Sequence, residues 1–264
     1  MKKPKKKYKK KKMSDRNTKM KEVFNALFKC DPNYSQSKDP ELMEILQKFI
    51  FGDIFSAGEL TNKERELITV VCIATLQCLP QLKAHINAAL NVGNSPLEIR
   101  EALYTLCPFI GFPRTLNSLE VFNSVMTERK INLPLENGKL IKDEDRYEKG
   151  KEIMQKNYGD ALEKMLKDVP GGIGNKTSKF LTEIYSGDIE TRKFLDIKTK
   201  ELIYVICLVA LNSTSILKPH LAGAVKSGNS YEKVAAALLQ TAPYVGFATP
   251  VTAMIMLKEL KEGH

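Results

Sequence analysis

The 264-residue sequence is poor in the residue patterns that build metal, disulfide and nucleotide sites. Its three histidines, His85, His220 and the terminal His264, are not clustered at ligand spacing, which argues against a zinc site. Five cysteines (Cys30, Cys72, Cys78, Cys107 and Cys207) are odd in number and contain no C-x-x-C pair. That pattern favours a reducing cytoplasm over a disulfide framework. No glycine-rich run has the spacing that cradles a phosphate. The longest largely apolar run, Leu67 to Leu76, is ten residues closed by Glu66 and Gln77, against the roughly 20 that span a bilayer. Neither a membrane partner nor a cofactor or metal is expected.

The net charge of +10 is concentrated at one end. Residues 1–12, MKKPKKKYKKKK, hold nine of the 41 basic residues, and the rest carries 32 basic against 31 acidic residues, a net of +1. Nucleic acid is therefore expected to be bound only non-specifically, by this arm. Met13 follows directly and is a second candidate start, so residues 1–13 read as a disordered tail or a start-site artefact. The polar SDRNTKMKE comes next in place of an apolar signal-peptide core. With 43% hydrophobic and 27% charged residues, the remainder has the balance of a folded protein.

An internal duplication organises that remainder. Shifted by 135 residues, Gly52-Asp53-Ile54 falls on Gly187-Asp188-Ile189, Glu66-Leu67-Ile68 on Glu201-Leu202-Ile203, Leu82-Lys83 on Leu217-Lys218 and His85 on His220. Gly93-Asn94-Ser95 falls on Gly228-Asn229-Ser230, and Gly111-Phe112 on Gly246-Phe247. In all, 23 of the 67 positions from Gly52 to Ser118 recur without a gap. A period this long marks two related domains, residues 14–130 and 140–264, joined by a linker around Thr127 to Arg146.

Each copy reads as helices only. Asn62 to Gln77 is apolar on every face beyond its first turn, the mark of a buried helix, and too long for a typical strand. A second helix spans about Pro80 to Val92 and stops at Gly93. Ser95-Pro96-Leu97-Glu98 is a capping box that starts a third helix toward Pro108, and a fourth runs from Thr115 to Met126. The fold class is all-α.

Identical polar pairs between the copies need more than packing to explain them. Glu66/Glu201 and His85/His220 recur 19 residues apart in both copies, which fits a carboxylate that orients an imidazole for general acid/base work. Glu66 alone also suits a helix N-terminus. Cys78 precedes His85 by two helical turns and sits near a helix start, where thiolates are stabilised; the second copy has Ser213 there.

The stretch from Thr61 to Phe122 resembles the carboxymuconolactone decarboxylase family. Arg65-Glu66-Leu67, His85, Ala89-Leu90-Asn91, Gly93, Glu98-Ile99-Arg100-Glu101, Gly111, Pro113 and Asn117 carry the resemblance, and Phe109 stands where a tyrosine is usual. The second copy keeps Glu201, His220, Gly228, Tyr244 and Gly246 but has Lys200, Lys226, Ala248 and Thr252 opposite Arg65, Asn91, Pro113 and Asn117.

The resemblance implies a tandem duplication of an alkylhydroperoxidase D-like helical domain, assembled as a homotrimer of six quasi-equivalent domains. It implies a cofactor-free decarboxylation of a small carboxylated lactone or related acid, with His85 as proton donor, Glu66 as its orienter, and Arg65 and Asn117 holding substrate carboxylates. His220 and Glu201 are the second-copy equivalents. The alternatives are a peroxiredoxin-like hydroperoxide reductase using Cys78, whose partner thiol is missing because Gln81 occupies its place, and a non-catalytic scaffold.

Overall fold

The computed structural model describes residues 6–263, with side chains from Asp15 onward. The tail expected over residues 1–13 thus lies partly outside the described residues and partly in the first helix, α1 (Lys6–Phe28). Thirteen α-helices and short π- and 3-10-helical segments account for the regular structure, with no strand among the described residues. After α1 come α2 (Pro40–Gln47), which runs on as a π-helical turn over Lys48–Asp53, then α3 (Asn62–Leu76), α4 (Leu79–Asn91), α5 (Pro96–Thr105) and α6 (Cys107–Glu128). The second copy supplies α7 (Arg146–Tyr158), α8 (Ala161–Leu166), α9 (Ile173–Leu181) with its own π-helical continuation over Thr182–Glu190, α10 (Ile197–Ala210), α11 (Leu217–Lys226), α12 (Tyr231–Val245) and α13 (Ala248–Glu262).

The duplication extends to backbone detail. α3 starts at a Thr61/Glu64 capping box, and α5 at Ser95/Glu98 with Pro96 in its first turn. Gly93 and Gly228, at φ 97° and 108°, end α4 and α11 in a conformation that only glycine adopts cheaply. The amide of Asn94 donates to the Lys63 and Ala89 carbonyls, and that of Asn229 to Lys198 and Ala224. The sequence predicts a third helix running to Pro108 and a fourth from Thr115. Instead the chain is helical from Cys107, and the break falls at Gly111 (φ 77°, ψ 163°), mirrored by Gly246 (φ 79°, ψ 176°). Pro108 and Pro113 lie just inside the two helical stretches, where a missing N–H costs nothing.

α3 and α10, the two apolar helices, pack on each other at the centre. Both repeats contribute to one continuous core: Val70, Val71 and Cys72 from the first, Val205, Ile206 and Cys207 from the second. α12 leans across onto α3, and α5 onto α10, so each repeat projects the end of one helix into its twin. A smaller cluster of Met20, Val23, Leu27, Ile50, Phe51 and Phe55 fixes α1 over α4. No described helix is long and apolar enough to cross a membrane.

Candidate functional site

α3 and α4 bring Glu66 and His85 together. Glu66, one turn into α3, is fully buried, and its Oε2 lies 2.8 Å from His85 Nδ1. The contact fixes the imidazole with Nε2 free of protein partners among the described residues, while Glu66 Oε1 is buried with no partner. His85 faces a cavity of about 460 Å³. Its walls are largely hydrocarbon: Phe24 and Phe28 from α1, Phe51, Ile73, and Tyr244 from the second repeat. Phe28 and Tyr244 meet the His85 ring edge-on, at 5.8 and 5.9 Å between centroids. Cys78, Gln81 and the buried Gln47, whose Oε1 has no partner among the described residues, complete the polar part, and no lysine or arginine lines the cavity among the described residues. Cys78 is exposed.

Arg65 has no N–H left to offer the substrate carboxylate expected of it. It is 1% exposed, and all five of its N–H groups are spent inside the protein. Nε donates to the Leu60 carbonyl, Nη1 to the Ile54 carbonyl and to Gln240 Oε1, and Nη2 to the Ala57 and Gly58 carbonyls. The cation staples the turn that precedes α3, sharing the Ile54 carbonyl with the Ala57 N–H and supplying the donor for those of Ala57, Gly58 and Leu60. Lys200 does the same work in the second copy, where Nζ donates to the Ile189, Glu190 and Arg192 carbonyls. Asn117 is also displaced from the assigned role: it lies exposed on α6, and its amide donates to Gln77 Oε1 at 3.0 Å, away from the cavity walls.

The second copy places Glu201 and His220 as its sequence requires, but a phenol separates them. The Tyr158 hydroxyl donates to Glu201 Oε2 at 2.6 Å and lies 2.9 Å from His220 Nδ1. Asn157 donates to the other Glu201 oxygen. Phe109, from the first repeat, meets the His220 ring at 5.6 Å. Burial pushes the Glu201 carboxyl up to about 7 and pulls the His220 imidazole down to about 4, so this histidine is neutral near pH 7. The quasi-equivalent cavity, about 290 Å³ and lined by Pro108, Phe180 and Tyr185, reaches neither His220 nor Glu201.

Sequence reasoning missed Tyr158, Phe28 and the crossed insertion of Phe109 and Tyr244. Tyr244 had a signal, being the tyrosine usual in the resemblance; α1 had none, because it lies outside the identical stretches.

The duplicated helical chain matches known proteins. The profile of the carboxymuconolactone decarboxylase family matches residues 40–124 and again 176–259, more than half of the chain. The chain belongs to the carboxymuconolactone decarboxylase family. It is 27% identical over 141 residues to Peroxisomal protein 2 of Schizosaccharomyces pombe, a match that covers 53% of this chain and 65% of that relative. It is 26% identical over 102 residues to the nitrosuccinic acid decarboxylase npaB of Metarhizium robertsii, covering 39% of this chain and 68% of that protein. A crystal structure from Burkholderia xenovorans, assigned as a gamma-carboxymuconolactone decarboxylase subunit, superposes with a TM-score of 0.56 at 20% identity, over 94% of this chain and 98% of that one. The last likeness extends the shared fold to nearly the whole chain.

Proposed function

We propose that the chain is an acid/base decarboxylase whose working site is the Glu66–His85 pair of the first repeat. The observation that carries this reading is the 2.8 Å contact between the two, opening on a cavity with no cationic wall residue among the described residues. In an apolar cavity a carboxylate is poorly solvated, and its charge disperses as the bond to carbon dioxide stretches, so the surroundings favour the transition state over the bound acid. A guanidinium against that carboxylate would stabilise the starting state instead. The substrate class is accordingly a compact monoacid whose carbanion is delocalised into a neighbouring carbonyl or nitro group. A doubly charged lactone acid would leave one carboxylate unpaired. After loss of carbon dioxide, the imidazolium Nε2–H protonates the carbanion carbon, Glu66 holds the Nδ1–H, and the pair regains a proton from water.

Cys78, in the same cavity, favours one further reading. Its thiolate would attack a hydroperoxide, releasing the alcohol and leaving a sulfenate that an external dithiol reduces. An assay panel of keto, nitro and lactone acids against alkyl hydroperoxides with a dithiol donor separates the two. The decarboxylase reading expects carbon dioxide release that Cys78→Ser leaves unchanged. Hydroperoxide turnover abolished by Cys78→Ser would replace it with the thiol chemistry.

Assembly as a homotrimer belongs to the same proposal. Phe112 and Leu116 on α6 are 65% and 61% exposed, and their equivalents Phe247 and Val251, at the start of α13, are 55% and 46% exposed. Two such faces, related by the internal repeat, suit a closed ring of like contacts.

A further inference from the structure

We propose that the Tyr244 hydroxyl, brought into the first site by the second repeat, is the oxyanion donor of the reaction, kept in the donor sense by a relay that begins at Arg65. The inference rests on the decarboxylase reading and adds a group to its machinery.

The direction of the relay is fixed by its first member. An arginine has no acceptor, so the Gln240 oxygen must face Arg65 Nη1, at 3.0 Å. The Gln240 nitrogen is thereby turned toward Thr69 and donates to its Oγ1 at 3.3 Å. Thr69 Oγ1 in turn donates to the Tyr244 oxygen at 3.2 Å. Each oxygen along the line receives a proton, and the last one, on the phenol, has no acceptor among the described residues. Tyr244 lines the cavity with its ring against that of His85. Burial and the charge of Glu66 hold its hydroxyl well above the ordinary tyrosine range, so it donates a hydrogen bond without losing its proton.

The relay is assembled from both repeats and exists in one site only. Arg65 and Thr69 come from α3, Gln240 and Tyr244 from α12. The four equivalent positions hold Lys200, Tyr204, Thr105 and Phe109. Lys200 is spent on carbonyls, Thr105 donates back to the Glu101 carbonyl of its own helix, and Phe109 has no hydroxyl. Every link is different, and the ring that meets His220 has nothing to donate.

In the reaction, the electron pair of the breaking carbon–carboxylate bond moves into the adjacent carbonyl or nitro group. Carbon dioxide leaves, and the negative charge comes to rest on an oxygen of that group. Tyr244 hydrogen-bonds this oxygen while His85 delivers the proton to carbon. Tyr244 touches the reacting atoms; Thr69, Gln240 and Arg65 are positioning residues.

The test uses the full chain with ethane nitronate, an anion shaped like the intermediate, and its neutral parent nitroethane. Wild type is expected to bind the nitronate in preference, and Tyr244→Phe to lose that preference by about a hundredfold, with kcat falling similarly and KM little changed. The fold accepts the ring, since Phe109 already fills the equivalent position. Thr69→Val should lose part of the preference and Thr69→Ser retain it, a pattern that a packing role would not produce. Absence of nitronate preference in wild type, or equal preference and kcat in Tyr244→Phe, overturns the inference. Wild-type decarboxylation that Tyr244→Phe leaves intact would overturn this inference and spare the decarboxylase reading. A Tyr244-dependent nitronate preference in a chain that decarboxylates nothing would overturn the decarboxylase reading and leave Tyr244 only as an anion-binding donor.

Discussion

The Tyr158 hydroxyl lies 2.9 Å from His220 Nδ1, where in the other copy the carboxylate of Glu66 meets His85 directly. One phenol thus stands between carboxylate and imidazole in the second copy, where burial pulls the His220 pKa down to about 4. The two copies keep the same glutamate and histidine and are chemically unequal.

His85→Gln should therefore lower turnover by at least about a hundredfold, the scale of a missing general acid, with an unchanged melting temperature. His220→Gln should leave turnover close to wild type. Steady-state kinetics on both variants checks the assignment, and a damaging His220→Gln with a benign His85→Gln would move the active site to the second repeat.

Replacing Arg65 should act on the fold rather than on substrate affinity. Arg65→Ala strands the Leu60, Ala57 and Gly58 carbonyls and opens the α3 turn, at a cost of about 3 kcal/mol. Arg65→Lys should recover much of this, because Lys200 already staples the equivalent turn with an ammonium group. Denaturant melts of the two variants distinguish the outcomes; equal stability of Ala and Lys would refute the staple.

The acidic cluster of the second repeat should make stability depend on pH. Burial, with Glu201 nearby, pushes Glu190 up to about 8, and burial pushes Glu201 up to about 7. Both carboxyl oxygens of Glu190 are buried without a partner, beside Ser186, Tyr204 and Lys200. A carboxyl raised in the folded state holds its proton longer than in the unfolded chain, so its contribution is lost as pH rises from about 4.5 through about 8. His220, lowered to about 4, acts in the opposite sense below about 6.5, and burial lowers Lys200 to about 8, which favours folding only above that. The melting temperature should fall between about pH 6.5 and 8, and Glu190→Gln should flatten that slope.

Assembly is checked by sedimentation equilibrium, with an expected mass about three times 29.7 kDa. Phe112→Lys with Phe247→Lys should give monomers, because each buries a charge in the proposed contact. A wild-type monomer at micromolar concentration would remove the ring.

The helices were legible because their signals are local. Capping at Thr61 and Ser95, the glycines at 93 and 228 and the solid apolar faces of α3 and α10 each act within a few residues. The Glu66–His85 pair was legible because the duplication repeats its spacing. Arg65 was not: beside a helix start, a guanidinium looks free to bind a substrate. Its burial depends on carbonyls from residues 54–60 folding back over it, which is a tertiary event. Gln240, and the placement of Tyr244 though not the residue itself, were hidden for a related reason, since nothing in a linear pattern tells that α12 delivers its end to the neighbouring repeat. Tyr158 lies outside the aligned stretches, so its intrusion between His220 and Glu201 left no trace in the comparison of copies.

The crossed insertion of Phe109 and Tyr244 also bears on why a fused chain differs from an assembly of identical subunits. When one polypeptide makes every site, a residue lent to a neighbour must be the same everywhere, and a phenol gained by one site is gained by all. Fusion separates lender from borrower. A change at position 244 alters only the site built on α3 and α4, and a change at position 109 only the one built on α10 and α11. The second repeat is thus free to lose its own chemistry while continuing to furnish a wall and a hydroxyl for its twin, and selection on the first site acts directly on the sequence of the second.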